Sequence, residues 1–150
     1  EYSYCYGTLN GLHCISLSDI TVLPPCTGSD FENNAHEITD AILIAICTTP
    51  AIYNWAGYQT IPTCPNGFLC TLKISDAICY DGWIPFTRYN EELGTIEIVS
   101  KMNKCDNEMR SCNETIYICW DDVNQKYQMT REGYETGPDC VEPCHSTCDY

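Results

Sequence analysis

The chain has 150 residues, thirteen of them cysteine, and its twenty-one acidic against seven basic residues give a formal net charge of −14. That length suits one domain or two small ones, and the cysteine density marks a disulfide scaffold made outside a reducing cytosol. The charge excludes nucleic acid, anionic membrane surfaces and heparin-like polymers as partners, because each needs lysine and arginine counter-charges.

In chain order, Glu1-Tyr2-Ser3-Tyr4 lacks a basic n-region or an apolar h-region, so a secreted protein is expected to have lost its signal peptide already. Asn10-Gly11 is a turn signal, and Pro24-Pro25 is another, next to Cys26. Cys26 to Asp40 reads as an acidic insert. Glu37 to Ile46 is the one helix candidate, with Thr39 or Asp40 as cap, although its isoleucines suit a buried strand at least as well. Ala41 to Cys47 is the longest apolar run and falls far short of the ~20 residues that cross a bilayer. Turns follow at Pro65-Asn66-Gly67 and Asp81-Gly82. Trp83 to Tyr89 is an extended, aromatic-rich stretch, and Pro85 confines it to an edge or a bulge. Asn90 to Gly94 is a hairpin loop leading into Thr95-Ile96-Glu97-Ile98-Val99, a β-branched run of period two. The expected fold is small, disulfide-rich and mainly β, with short antiparallel sheets and long loops.

The cysteines fall into two blocks that can be laid over each other. Cys5, Cys14, Cys47, Cys64, Cys70 and Cys79 form the first, and Cys105, Cys112, Cys119, Cys140, Cys144 and Cys148 the second. In this overlay Ile44-Ala45-Ile46-Cys47 matches Ile116-Tyr117-Ile118-Cys119, both read as β-like. The expectation is a duplication: module 1 over residues 1–80, a hairpin connection over 81–104 and module 2 over 105–150, with all twelve cysteines in disulfides. Cys26 has no counterpart, and an odd count leaves one thiol unpaired or joined to another chain, which points to a covalent homo-oligomer. Cys140, Cys144 and Cys148 beside His145 come nearest to a zinc ligand set, but an oxidising compartment favours cross-links there. Asn113-Glu114-Thr115 is an N-glycosylation acceptor and agrees with a secreted, extracellular glycoprotein.

Catalytic signatures are missing. Only three histidines occur, and no GxSxG elbow, HExxH, phosphate loop or CxxC redox pair is present. Asp121-Asp122-Val123-Asn124 offers oxygens but lacks the glycine and distal glutamate of an EF-hand. The chain is expected to be no enzyme and to need no cofactor or metal.

Aromatic rings are abundant. Tyr53, Trp55 and Tyr58 lie in the interval between the third and fourth cysteines of the first block, and Trp120, Tyr127 and Tyr134 in that of the second. Flat exposed rings stack on the apolar faces of sugars, and Asn54, Gln59, Asp121, Asn124 and Gln125 stand nearby to bond hydroxyls; the alternative is that the rings form the core. Cys5-Tyr6-Gly7-Thr8-Leu9-Asn10-Gly11-Leu12-His13-Cys14 and Thr63-Cys64-Pro65-Asn66-Gly67-Phe68-Leu69-Cys70 resemble the peritrophin-like cysteine-rich chitin-binding modules of invertebrates. The resemblance implies six cysteines in three bridges, a short β-sheet, and binding of chitin or mucin-type glycans, with Tyr53, Trp55, Tyr58, Trp120 and Tyr127 as contacts. Three functions are therefore expected in turn: a secreted glycan binder, a structural or assembly subunit of an extracellular matrix, coat or filament, and an effector, pheromone or inhibitor acting on a protein receptor.

Overall fold

The computed structural model describes the backbone of residues 1–136, 140–141 and 143–146, and their side chains except those of 18, 72–79, 106–112, 134–136 and 145–146. It is mainly β and largely antiparallel. Strands β1 (Tyr2–Leu9) and β2 (Leu12–Val22) precede three helices, α1 (Gly28–Asn33), α2 (Ala35–Cys47) and α3 (Pro50–Trp55). Then come β3 (Leu69–Asn90), β4 (Thr95–Asp121), β5 (Lys126–Thr136) and the two-residue β6 (His145–Ser146). The sheet order is β1-β2-β3-β4-β5, with β6 paired to β3.

The turns follow from local chemistry. Asn10 and Gly11 take φ of 50° and 82°, the left-handed pair that lets a two-residue loop close the β1–β2 hairpin. At the β4–β5 turn, the Asp121 carboxylate accepts from the backbone N–H of Val123 (2.9 Å) and Asn124 (3.1 Å) and from the Asn124 side chain (2.8 Å). The Asn124 side chain, then its backbone N–H, hold the Asp121 carboxyl below the usual carboxylate range.

β3 and β4 pair from Leu69↔Ile118 to Asn90↔Thr95 as a long ribbon whose register shifts between Ile78 and Tyr80 and again between Tyr80 and Trp83. β2 borders β3 in parallel at Cys14↔Leu72 and β4 in antiparallel fashion at Thr21↔Lys101. Strands β3 and β4 run through residues 80/81 and 104/105, the boundaries expected from the cysteine blocks, and the register shifts of their ladder fall at the same place.

One face of this sheet is covered by helices. α2 contains the helix candidate Glu37 to Ile46, but it is capped at Asn34 rather than at Thr39 or Asp40, which lie inside it. It is helix rather than the buried strand its isoleucines also suited. In α2 the buried residues are Ala35, Thr39, Leu43, Ile46 and Cys47, a stripe of helical period. A 13-residue helix satisfies its own backbone, so Ile46 is buried and Ile38, Ile42 and Ile44 half-buried without strand partners. Ile44 to Cys47 is thus helix, whereas Ile116 to Cys119 is strand, and the two stretches overlaid in the sequence differ in structure. Thr27 and Asp30 form a capping box for α1, and Pro50 opens α3. Leu43, Ile46, Cys47 and Ile52 pack on Ile15, Leu69, Ile116 and Ile118 as one core cluster. Arg131 of β5, paired with Asp40 of α2 and with Glu114 of β4 (3.4 Å), ties α2 to the sheet. At the other end α1 lies on the ribbon: Phe31 contacts Trp83 (centroids 5.2 Å apart), whose Nε1–H donates to Glu32 (2.9 Å). A Cβ on Gly28 would stand 2.2 Å from Trp83, so only glycine permits this approach.

The bridges differ from the expected set. Cys64 joins Cys119 and so links the two cysteine blocks, and Cys105 joins Cys144, with Cα atoms 5.2 and 6.6 Å apart respectively. Cys140 is also disulfide-bonded. Cys5, Cys14, Cys26, Cys47 and Cys70 carry free thiols. For Cys5, Cys14, Cys47 and Cys70 this departs from the expected pairing, for reasons set by geometry. Cys5 faces Ser16 and Cys14 faces Gly7, so the two are diagonal, about 7–8 Å apart, beyond disulfide reach. Cys47 sits in a core cluster that, among the described residues, holds no other cysteine. Cys70 faces Tyr117 across the ladder and lies beside its side chain. The side chains of Cys79 and Cys112, and all of Cys148, lie outside the described residues.

Candidate functional site

Edge strand β1 carries the most distinctive chemistry. Its side chains alternate, so Tyr2, Tyr4 and Tyr6 share one face. That face is set by pairing: Tyr4 opposes Leu17 and Tyr6 opposes Ile15, both on the helix-covered side. Being at the sheet edge, the rings extend past the helices, with Tyr2 40% and Tyr6 50% exposed. Ring centroids are 6.3 Å apart between Tyr2 and Tyr4 and 6.4 Å between Tyr4 and Tyr6. The row continues to Trp55 at the end of α3, 5.1 Å from Tyr6, and from Trp55 to His13, 4.6 Å away. Five rings from β1, β2 and α3 thus form a continuous line of contacts. Trp55 closes the line because α3, started by Pro50, ends over the edge of the sheet.

The expected site residues divide. Trp55 belongs to the row. Tyr53 is half-buried against the core cluster, and Tyr58, also half-buried, accepts a hydrogen bond at its hydroxyl from the Cys70 backbone N–H (3.2 Å). Trp120 and Tyr127 come together, centroids 4.8 Å apart in an edge-to-face pair, but on β4 and β5. At ~4.8 Å per strand, β4 lies roughly 14 Å from β1, so the structure separates these rings from the row. Asp121 and Asn124, expected as sugar-hydroxyl partners, bond each other, while Asn54 and Gln59 are exposed. Asn113 lies within β4 between Ile74 and Glu135, half-buried. Tyr134's side chain lies outside the described residues.

Tyr2, Tyr4, Tyr6 and His13 were not among the expected contacts. The signal for three of them is in the sequence as Tyr-x-Tyr-x-Tyr, an alternation that a strand turns into a row. Among the described residues no group of three or more His, Cys, Asp or Glu side chains is placed to hold a metal ion, and no helix is long and apolar enough to cross a membrane. Comparison of the chain with protein families, with curated proteins and with solved structures finds no match.

Proposed function

We propose that this protein is a secreted, non-enzymatic glycan-binding protein that holds a neutral, chitin-like sugar chain along β1. The observation that carries the reading is the contact line Tyr2–Tyr4–Tyr6–Trp55–His13 on an exposed edge. Successive sugar rings offer flat apolar faces to such a row, and aromatic faces are well suited to stack on them. An edge strand also leaves backbone N–H and C=O groups on its outer side, which suit sugar hydroxyls. The net charge of −14 favours a neutral polymer over sulfated or sialylated ones. The two defined bridges support an oxidising compartment, and the resemblance of the cysteine-flanked segments to peritrophin-like modules points to the same ligand class.

Retention on chitin beads tests the reading. The intact protein is expected to be retained, Tyr6→Ala and Trp55→Ala to be lost to the wash, and Trp120→Ala to be retained like the parent. An intact protein that passes through chitin and other neutral glycan resins ends the proposal.

A second reading, an assembly subunit, is favoured by one observation: Cys5, Cys26 and Cys70 are free and exposed. In this reading Cys26 joins two chains, and a dimer on a non-reducing gel that collapses on reduction and is lost in Cys26→Ser is the expected result. A monomer under both conditions removes it.

A further inference from the structure

A second site lies at the Tyr2 end of the ring row. Between the end of β2 and the pair α1–α2 there is a cavity of about 590 Å³, within the roughly 300–1,000 Å³ typical of small-molecule sites. Its walls include Ile20, Val22, Leu23, Phe31, Ile38 and Ile42. The apolar residues come from both sides, strand and helix, so a ligand's body would meet apolar walls on two sides of an open cleft. Glu1, Asp30 and Glu37 are the charged residues of the lining among the described residues. The Glu1 carboxylate pairs with Arg88 and its α-ammonium donates to the Thr21 carbonyl, so Asp30 and Glu37 are the carboxylates left to face a ligand's head. The Thr27 hydroxyl and backbone N–H both donate to Asp30 Oδ2 (2.7 Å each), fixing that carboxylate in place.

We propose that this cavity binds a small amphiphile with an apolar body and a cationic head, such as an alkyl amine. Burial of the body in the apolar walls supplies affinity. The carboxylates select the head: an ammonium group is attracted, a neutral hydroxyl tolerated, and a carboxylate repelled. The protein's own charge of −14 reinforces this choice at long range. The free, exposed thiol of Cys26 is part of the lining and reports occupancy. This site is separate from the sugar-binding reading, since it shares only Tyr2 with the ring row.

The test uses N-phenyl-1-naphthylamine, an apolar dye uncharged at neutral pH, with octylamine, octanol and octanoate as competitors. The dye is expected to brighten with the protein. Octylamine should displace it at a roughly fivefold to tenfold lower concentration than octanol, the ratio that partly exposed carboxylates supply, and octanoate should fail. Glu37→Gln should narrow the gap between amine and alcohol, and Ile38→Trp should fill the space and abolish dye binding. Should Ile38→Trp not fold, alkylation of Cys26 in the parent protein, followed by mass spectrometry, gives the same answer: octylamine slows it and octanoate does not. A dye that stays dark, octanoate competing as well as octylamine, or a Cys26 alkylation rate unaffected by octylamine overturns the proposal.

Discussion

The two ends of the β3–β4 ribbon carry the same kind of sequence and meet different fates. Near the helices, Ile116 and Ile118 are fully buried under α2 and α3. At the hairpin tip, Ile96 and Ile98 repeat the same alternation yet are 72% and 65% exposed. Alternation of period two makes a strand in both places. What decides burial is whether another element covers the face, and the tip has none among the described residues. Stability should therefore be concentrated at the covered end.

The contrast can be broken or sharpened by substitution. Leu43→Ala, at the centre of the covered end, should cost roughly 3–5 kcal/mol in urea unfolding, because a closed core leaves a cavity. Removing the cross-link with Cys64→Ala/Cys119→Ala should cost roughly 2–4 kcal/mol by lifting the loop-closure constraint on the unfolded chain. A larger loss here than at Leu43 would mean that bridges outweigh packing. Cys47 gives a smaller, pH-dependent effect. Burial pushes its thiol from 9.0 up to about 12, so the folded state holds a proton that the unfolded state releases above pH 9. Its stabilising contribution is complete below that pH and is lost as pH rises towards 12. Between pH 9 and 10 the parent should lose about 1 kcal/mol more than Cys47→Val, as read from paired urea melts; equal slopes would show that the thiol ionises freely in the fold. Smallest of all, Ile98→Thr at the tip should change stability by less than about 0.5 kcal/mol.

Much of the strand framework was legible. The Asn10-Gly11 turn, the loop at 90–94 and the strand from Thr95 follow from local residue chemistry, and each forms as expected. The helices were less legible, because isoleucine-rich content favours β while the spacing of Thr39, Leu43, Ile46 and Cys47 favours α, and the spacing wins once the stripe meets the sheet. Pairing of cysteines was not legible: Cys64 meets Cys119 across 55 residues, through a ribbon that no local signal announces. At the site, Trp55 was found from its neighbours in sequence. Its partners Tyr6 and His13 were not, since only the packing of α3 against the β1–β2 edge brings them together.

Aromatic carbon–proton NMR spectra of the intact protein, titrated with a soluble chitin oligosaccharide, test the sugar-binding account most directly. The account predicts shift changes confined to the rings of Tyr2, Tyr4, Tyr6, His13 and Trp55. Changes centred on Trp120 and Tyr127, or no changes at saturating sugar, would contradict it.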